Sequence, residues 1–70
     1  MKIDMQKDVF AVFKNAADQG DATSMRYLGW FYENGFGVAR DVAQASEWYE
    51  KAANNGDVAA KARLKQLRDK

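Results

Sequence analysis

A 36-residue internal repeat constrains this 70-residue chain more than any other feature. Phe13-Lys14-Asn15-Ala16-Ala17-Asp18-Gln19-Gly20-Asp21 aligns with Tyr49-Glu50-Lys51-Ala52-Ala53-Asn54-Asn55-Gly56-Asp57. The aromatic, the Ala-Ala pair, the glycine and the aspartate match in place, and Leu28 matches Leu64 further on. Self-similarity at a fixed period of this size means one supersecondary unit repeated, each copy burying its apolar face against the next. The stretch from Leu28 to Ala53, which runs into the second copy, holds six of the nine aromatics and three of the five glycines.

The repeat unit reads as helical. Met5, Val9, Val12, Phe13 and Ala16 recur at i, i+4, i+7, i+8 and i+11, which places them on one face of a helix over residues 5–18. Lys7, Lys14 and Asp18 keep the other side wet. Gly20 suits the left-handed position that ends a helix, and Asp21 suits the N-cap of the next. A second helix over 22–34 gathers Ser24, Met25, Leu28, Gly29, Phe31 and Tyr32 into one arc, with Arg26, Trp30 and Glu33 projecting away and Tyr27 at the margin. Glycine within a helix costs about 1 kcal/mol against alanine, so Gly29 implies close approach of a neighbour that a Cβ would block.

Asn34-Gly35-Phe36-Gly37 then stops the chain. Two glycines around an aromatic are one ingredient of a phosphate cradle, but no strand precedes them and no Lys-Ser/Thr pair follows. The segment reads instead as a turn whose Phe36 or Val38 plugs the gap between helices. A third helix over 41–54 opens at Asp41, with Gln44 three residues on in a near-capping-box arrangement. Its apolar face is Val42, Ala45, Trp48, Tyr49 and Ala52, and Glu47–Lys51 has the spacing of an ion pair worth a few tenths of a kcal/mol. Asn55-Gly56-Asp57 repeats the stop and restart. A fourth helix over 58–68 buries Ala60, Leu64 and Leu67 and is otherwise charged.

The expected fold is all-α: a short α-solenoid of four antiparallel helices joined by short connections. One full repeat, 21–56, is flanked by a half-repeat, 1–20, and a capping helix, 57–70. A chain near this length buries only about 60% of its unfolded surface, so little core is available.

Composition removes several functions. With no cysteine and no histidine there is no disulfide, no thiolate or imidazole metal site, and no nucleophile system built on histidine. Ser24 and Ser46 lack a general base and a Ser-x-x-Lys spacing. The acids Asp18, Asp21, Glu33, Asp41, Glu47, Glu50 and Asp57 are accounted for by caps and wet helix faces. No catalysis, cofactor or metal is therefore expected. Charges interrupt Met1–Asp8 where a signal peptide needs its apolar run, and no stretch reaches transmembrane length. For a complete chain, cytoplasm is the default.

The net charge of +1 is uneven: residues 1–60 carry −3, and residues 61–70 carry +4 through Lys61, Arg63, Lys65, Arg68 and Lys70 against Asp69. A nucleic-acid interface needs interleaved aromatics and overall basicity, and both are missing. The basic tail reads as the solvated side of a cap over Ala60, Leu64 and Leu67.

These residues resemble a known family. Met25-x-x-Leu28-Gly29-x-x-Tyr32 followed by Ala45-x-x-x-Tyr49-x-x-Ala52 resembles a tetratricopeptide-type hairpin, with Met25 at the usual tryptophan position. The 36-residue period, the Gly35-x-Gly37-Val38 loop with Asp41 beyond it, and Trp48-Tyr49-x-x-Ala52-Ala53-x-x-Gly56 are closer to the Sel-one-like repeat, whose loop between helices is longer. The resemblance covers about residues 9–64. It implies a right-handed superhelical array acting as an adaptor for other proteins. Some members are disulfide-linked and secreted, a branch that the lack of cysteine puts out of reach. Ser24 replaces a typical alanine. Lys65 and Arg68 stand where Gly29 and Tyr32 stood one repeat earlier, so the array is expected to stop with this helix.

The resemblance also places the first helix of each pair on the concave face, which here carries Thr23, Arg26, Trp30 and Glu33. An aromatic beside an arginine and an acid has the composition of a binding hot spot. The competing reading folds Trp30 down on the first helix, over Val9 or Phe13. Tyr27 leans to packing, and Trp48 matches a framework position in the core. Two functions follow as expectations. One is an interaction module whose groove beside Trp30 receives a peptide or partner protein, the protein itself being a monomer or weak homodimer. The other is a structural unit that pairs through its exposed terminal helices with another copy or a neighbouring repeat.

Overall fold

The computed structural model describes residues 4–69. Residues 1–3 and Lys70, the outer ends of the expected half-repeat and cap, lie outside the described residues. Four helices follow in order: α1 (Met5–Asp18), α2 (Ala22–Asn34), α3 (Val42–Asn54) and α4 (Val58–Arg68). Each packs chiefly on its chain neighbours, α2 on α3 most extensively. The Cα envelope measures 41 × 27 × 14 Å, and the short dimension fits two helix layers about 10 Å apart. Arg26–Asp57 joins α2 to the start of α4, and Lys14 of α1 reaches the Trp48 ring of α3. The layers are therefore α2 with α4 and α1 with α3, as in a solenoid.

The helix starts follow from aspartates. Asp4, Asp41 and Asp57 are extended N-cap residues whose carboxylates accept from the backbone N–H three residues on, at 3.1, 3.2 and 3.1 Å. Each satisfies one donor that a helix N-terminus leaves unpaired, worth about 1 kcal/mol. Asp41 is thus the cap of α3, and the helix proper begins at Val42. Asp21 holds the N-cap position of α2 without bonding backbone. Its carboxylate accepts instead from the Ser24 hydroxyl, which lets that hydroxyl be buried at 4% exposure.

The core is a seam between α2 and α3, with Met25, Leu28 and Phe31 facing Ala45, Trp48, Tyr49 and Ala52, closed below by Ala60 and Leu64. Gly29 is the tightest point. A Cβ there would stand 2.6 Å from Cδ1 and Cε1 of the Tyr49 ring, so the glycine exists to admit that ring. Phe31, 4% exposed, is the hub of an aromatic cluster: its ring lies 5.4 Å from Phe13, 6.2 Å from Phe10 and 5.0 Å from Phe36, the last stacked at 30°. Phe36 and Val38 both pack on the core, so the loop is a plug formed by both residues.

Three sequence expectations are corrected. The buried face of α1 is Val9, Phe10, Phe13 and Ala17, while Met5 and Val12 stand 73% and 67% exposed. The cause is the 35–41 loop, which lies against the start of α1: Gly37, at φ +71°, sits so close to the Gln6 carbonyl and Phe10 Cβ that only glycine fits. That contact draws Phe10 inward and turns Val12 out. Val42, at 37% exposure, lies off the seam because α3 meets α2 from its second turn onward. Glu47–Lys51 does not form an ion pair; the Lys51 ammonium lies 4.5 Å over the Trp48 ring, with Lys14 at 5.9 Å. The two cations cover the edge of an indole that is otherwise core.

Candidate functional site

Between α2 and α4, which share one layer, lies a groove of about 290 Å³, lined by Arg26, Tyr27, Trp30 and Phe31 of α2, Tyr49 of α3 and Arg63 of α4. Trp30 is one of its two exposed aromatics, with Tyr27. At 38% exposure it neither folds onto α1 nor stands free, because its ring meets Phe31 at 5.8 Å and Phe36 at 5.8 Å. Residues 30 and 31 are held by the loop plug, so the indole is fixed by two ring contacts while more than a third of it remains exposed. Tyr27, 39% exposed, is fixed likewise by Phe13 at 5.0 Å.

The charged residues beside this shelf are partly committed to structure. Arg26 Nε donates to Asp57 Oδ2 at 3.0 Å, and its guanidinium carbon lies 4.9 Å over the Tyr27 ring. The hydrogen bond to Asp57 raises the pKa of Arg26 despite partial burial, so this group is charged at every accessible pH. Asp57 serves two elements at once, capping α4 with one oxygen and holding Arg26 with the other. Glu33 accepts from the Tyr49 hydroxyl at 2.8 Å, while its backbone carbonyl accepts from Arg40 Nε at 3.0 Å. Tyr49 is 1% exposed; burial first, then the bond to Glu33, pushes its phenol pKa upward.

Of the four residues placed on this face from sequence, Arg26 and Trp30 line the groove. Glu33 reaches it only through Tyr49, and Thr23 is exposed on the first turn of α2 without lining it. Arg63 was assigned to the solvated cap and Tyr27 to packing, yet both line the groove. The repeat itself carries the signal for Arg63: it stands one 36-residue period after Tyr27, so it occupies the same face of the next helix in that layer.

A second, wider groove of about 730 Å³ runs between α3 and α4 past Ala53, Val58, Leu64, Lys65 and Arg68. Leu64, Lys65 and Arg68 stand one period after Leu28, Gly29 and Tyr32, the region of α2 on which α3 packs. By register it corresponds to the surface on which α3 packs one repeat earlier, but with Lys65 and Arg68 in place of Gly29 and Tyr32, and it lacks an aromatic shelf.

The Sel1 repeat model matches residues 22–57, covering α2, the glycine loop and α3. The chain belongs to the Sel1 repeat family. It is 44% identical over 54 residues to a chitin synthase regulator SKT5 from Malassezia restricta, and 40% identical over 52 residues to the SKT5 of Saccharomyces cerevisiae. It is also 42% identical over 65 residues to DAP3-binding cell death enhancer 1 from Rattus norvegicus. These matches cover 77%, 74% and 93% of the chain. The chain spans only 4%, 8% and 13% of those relatives' lengths. No solved structure matches at a significant level. Sel1 repeats are typically protein-interaction modules, and the relatives are by name a regulator and a binding protein. Among the described residues, no helix is long and apolar enough to cross a membrane.

Proposed function

We propose that this Sel1 unit is a non-catalytic adaptor whose α2–α4 groove receives a segment of another protein. The observation that carries this reading is Trp30: a large aromatic, held by ring contacts with Phe31 and Phe36 yet 38% exposed, in a groove lined by two arginines. Buried aromatic and arginine anchors supply most of the energy in protein interfaces, and an anchor already fixed loses little entropy on binding. Trp30→Ala is expected to weaken capture of the partner by about 30-fold, the size of a hot-spot truncation. Helicity should be intact by circular dichroism, and Lys61→Ala on the outer side of α4 should leave capture unchanged. Equal capture by wild type and Trp30→Ala would remove this face as the binding surface.

A second reading rests on Met5 and Val12, two exposed apolar side chains seven residues apart on α1. It has that face pairing with another copy or with a neighbouring repeat. Sedimentation velocity over a range of concentrations tests the first form. Association that Val12→Asp abolishes supports pairing through α1, and a single monomeric species throughout removes it.

A further inference from the structure

We infer that the segment received by the α2–α4 groove carries a side-chain carboxylate at the arginine end and an apolar or aromatic residue beside it; this rests on the groove reading above. The basis is which polar atoms are already engaged. At the α4 end of the groove, both oxygens of Asp57 are occupied, one by the Ala60 N–H and one by Arg26 Nε. The donors opposite are not. Among the described residues, the two Nη groups of Arg26 and the guanidinium nitrogens of Arg63 make no hydrogen bond, although both side chains line the groove. Acceptors are satisfied and donors are open, so the complementary ligand is an acceptor with negative charge.

Arg26 is also set in place before any ligand arrives. Asp57 fixes its Nε edge and Tyr27 lies against its plane, leaving the Nη pair of a partly exposed guanidinium free of partners, a fork that matches a carboxylate. Arg63 adds a second positive charge from the facing helix. The remaining acid, Glu33, lies seven residues further along α2, about 10 Å up the axis, and is engaged by Tyr49. The groove is therefore polarised: cationic at Arg26 and Arg63, aromatic at Tyr27 and Trp30, and neutral or acidic beyond. An acidic residue followed by an apolar one fits that order. The open Nη pair of Arg26 commits the carboxylate end, and the fixed indole of Trp30 commits its neighbour.

The test uses short peptides with both termini blocked, so that any carboxylate is a side chain. One carries Glu followed by Phe, a second replaces Glu by Gln, and a third replaces Glu by phosphoserine; inorganic phosphate is a fourth probe. Binding is followed by two-dimensional amide NMR of the wild-type chain, of Arg63→Gln and of Trp30→Ala. The Glu peptide is expected to shift the signals of Arg26, Trp30 and Arg63 and to bind about fivefold tighter than the Gln peptide, the scale of a partly exposed charge pair. Arg63→Gln should erase that difference while leaving the Gln peptide unaffected. Trp30→Ala should weaken both. Equal binding of the Glu and Gln peptides, with Trp30→Ala still weakening both, overturns the carboxylate and leaves the groove standing. Shifts that map elsewhere overturn both. A phosphoserine peptide or phosphate that outcompetes Glu in an Arg63-dependent way reassigns the site to phosphate. No binding of either carboxylate or amide peptide overturns the inference outright.

Discussion

Tyr49→Ala is expected to cost about 3–5 kcal/mol, the range for removing a buried aromatic, in a domain whose whole stability is on the order of 4–10 kcal/mol. Three losses coincide. The ring is 1% exposed and fills the seam between α2 and α3. Its hydroxyl donates to Glu33 at 2.8 Å. Its edge occupies the space that Gly29 leaves open. Tyr49→Phe removes only the hydroxyl and should cost about 1 kcal/mol, so the difference between the two variants reports packing. Gly29 sharpens the test. In the wild type, Gly29→Ala gains about 1 kcal/mol of helix propensity but drives a methyl to 2.6 Å from the ring, an overpacking that costs about 1–3 kcal/mol. It should therefore be net destabilising. In the Tyr49→Ala background the ring is gone, and the same substitution should be neutral or stabilising. Urea unfolding of the four proteins of this cycle, with unchanged denaturant slope, measures the coupling between the two sites. Additive effects would mean that Gly29 is present for some reason other than that ring.

Half of that pair is legible in the sequence: a helix-breaking residue inside an apolar arc demands a close neighbour. That the neighbour is the Tyr49 ring is a contact 20 residues away in the chain, which the structure supplies. The helix boundaries were readable because aspartate caps and glycine stops act within three or four residues of where they stand. The face of α1 was not readable. A helical wheel places Val12 and Phe10 on opposite margins of the same arc, and what chose between them was Gly37 lying on Gln6 and Phe10, a contact 31 residues away in the chain. The site shows the same division. Arg26 and Glu33 look like free charges along α2 because their partners, Asp57 and Tyr49, are 31 and 16 residues distant. The sequence does not decide between the two fates of Trp30, because its neighbour Phe36 belongs to a loop whose path the helical pattern does not encode.

Asp57 is where fold and site depend on one residue, and Asp57→Ala should cost about 2–3 kcal/mol. Loss of the α4 cap accounts for about 1 kcal/mol. The rest comes from Arg26, whose partly buried guanidinium loses the partner that offsets its desolvation. Two comparisons separate these parts. Asp41→Ala removes a cap of the same geometry with no arginine attached, and should cost about 1 kcal/mol. Asp57→Asn keeps a good capping side chain and loses the charge, so its deficit reports the ion pair alone. If Asp57→Asn matches wild type, the 3.0 Å contact contributes nothing measurable and Arg26 is held by Tyr27 alone. A deficit in Asp57→Asn has a consequence for binding, since Arg26 then swings free and the groove loses its preset fork while Trp30 stays in place. Recognition should weaken for a charged segment and hold for an uncharged one. On the proposed reading, a residue that begins a helix would thereby also set which partner the neighbouring helix accepts.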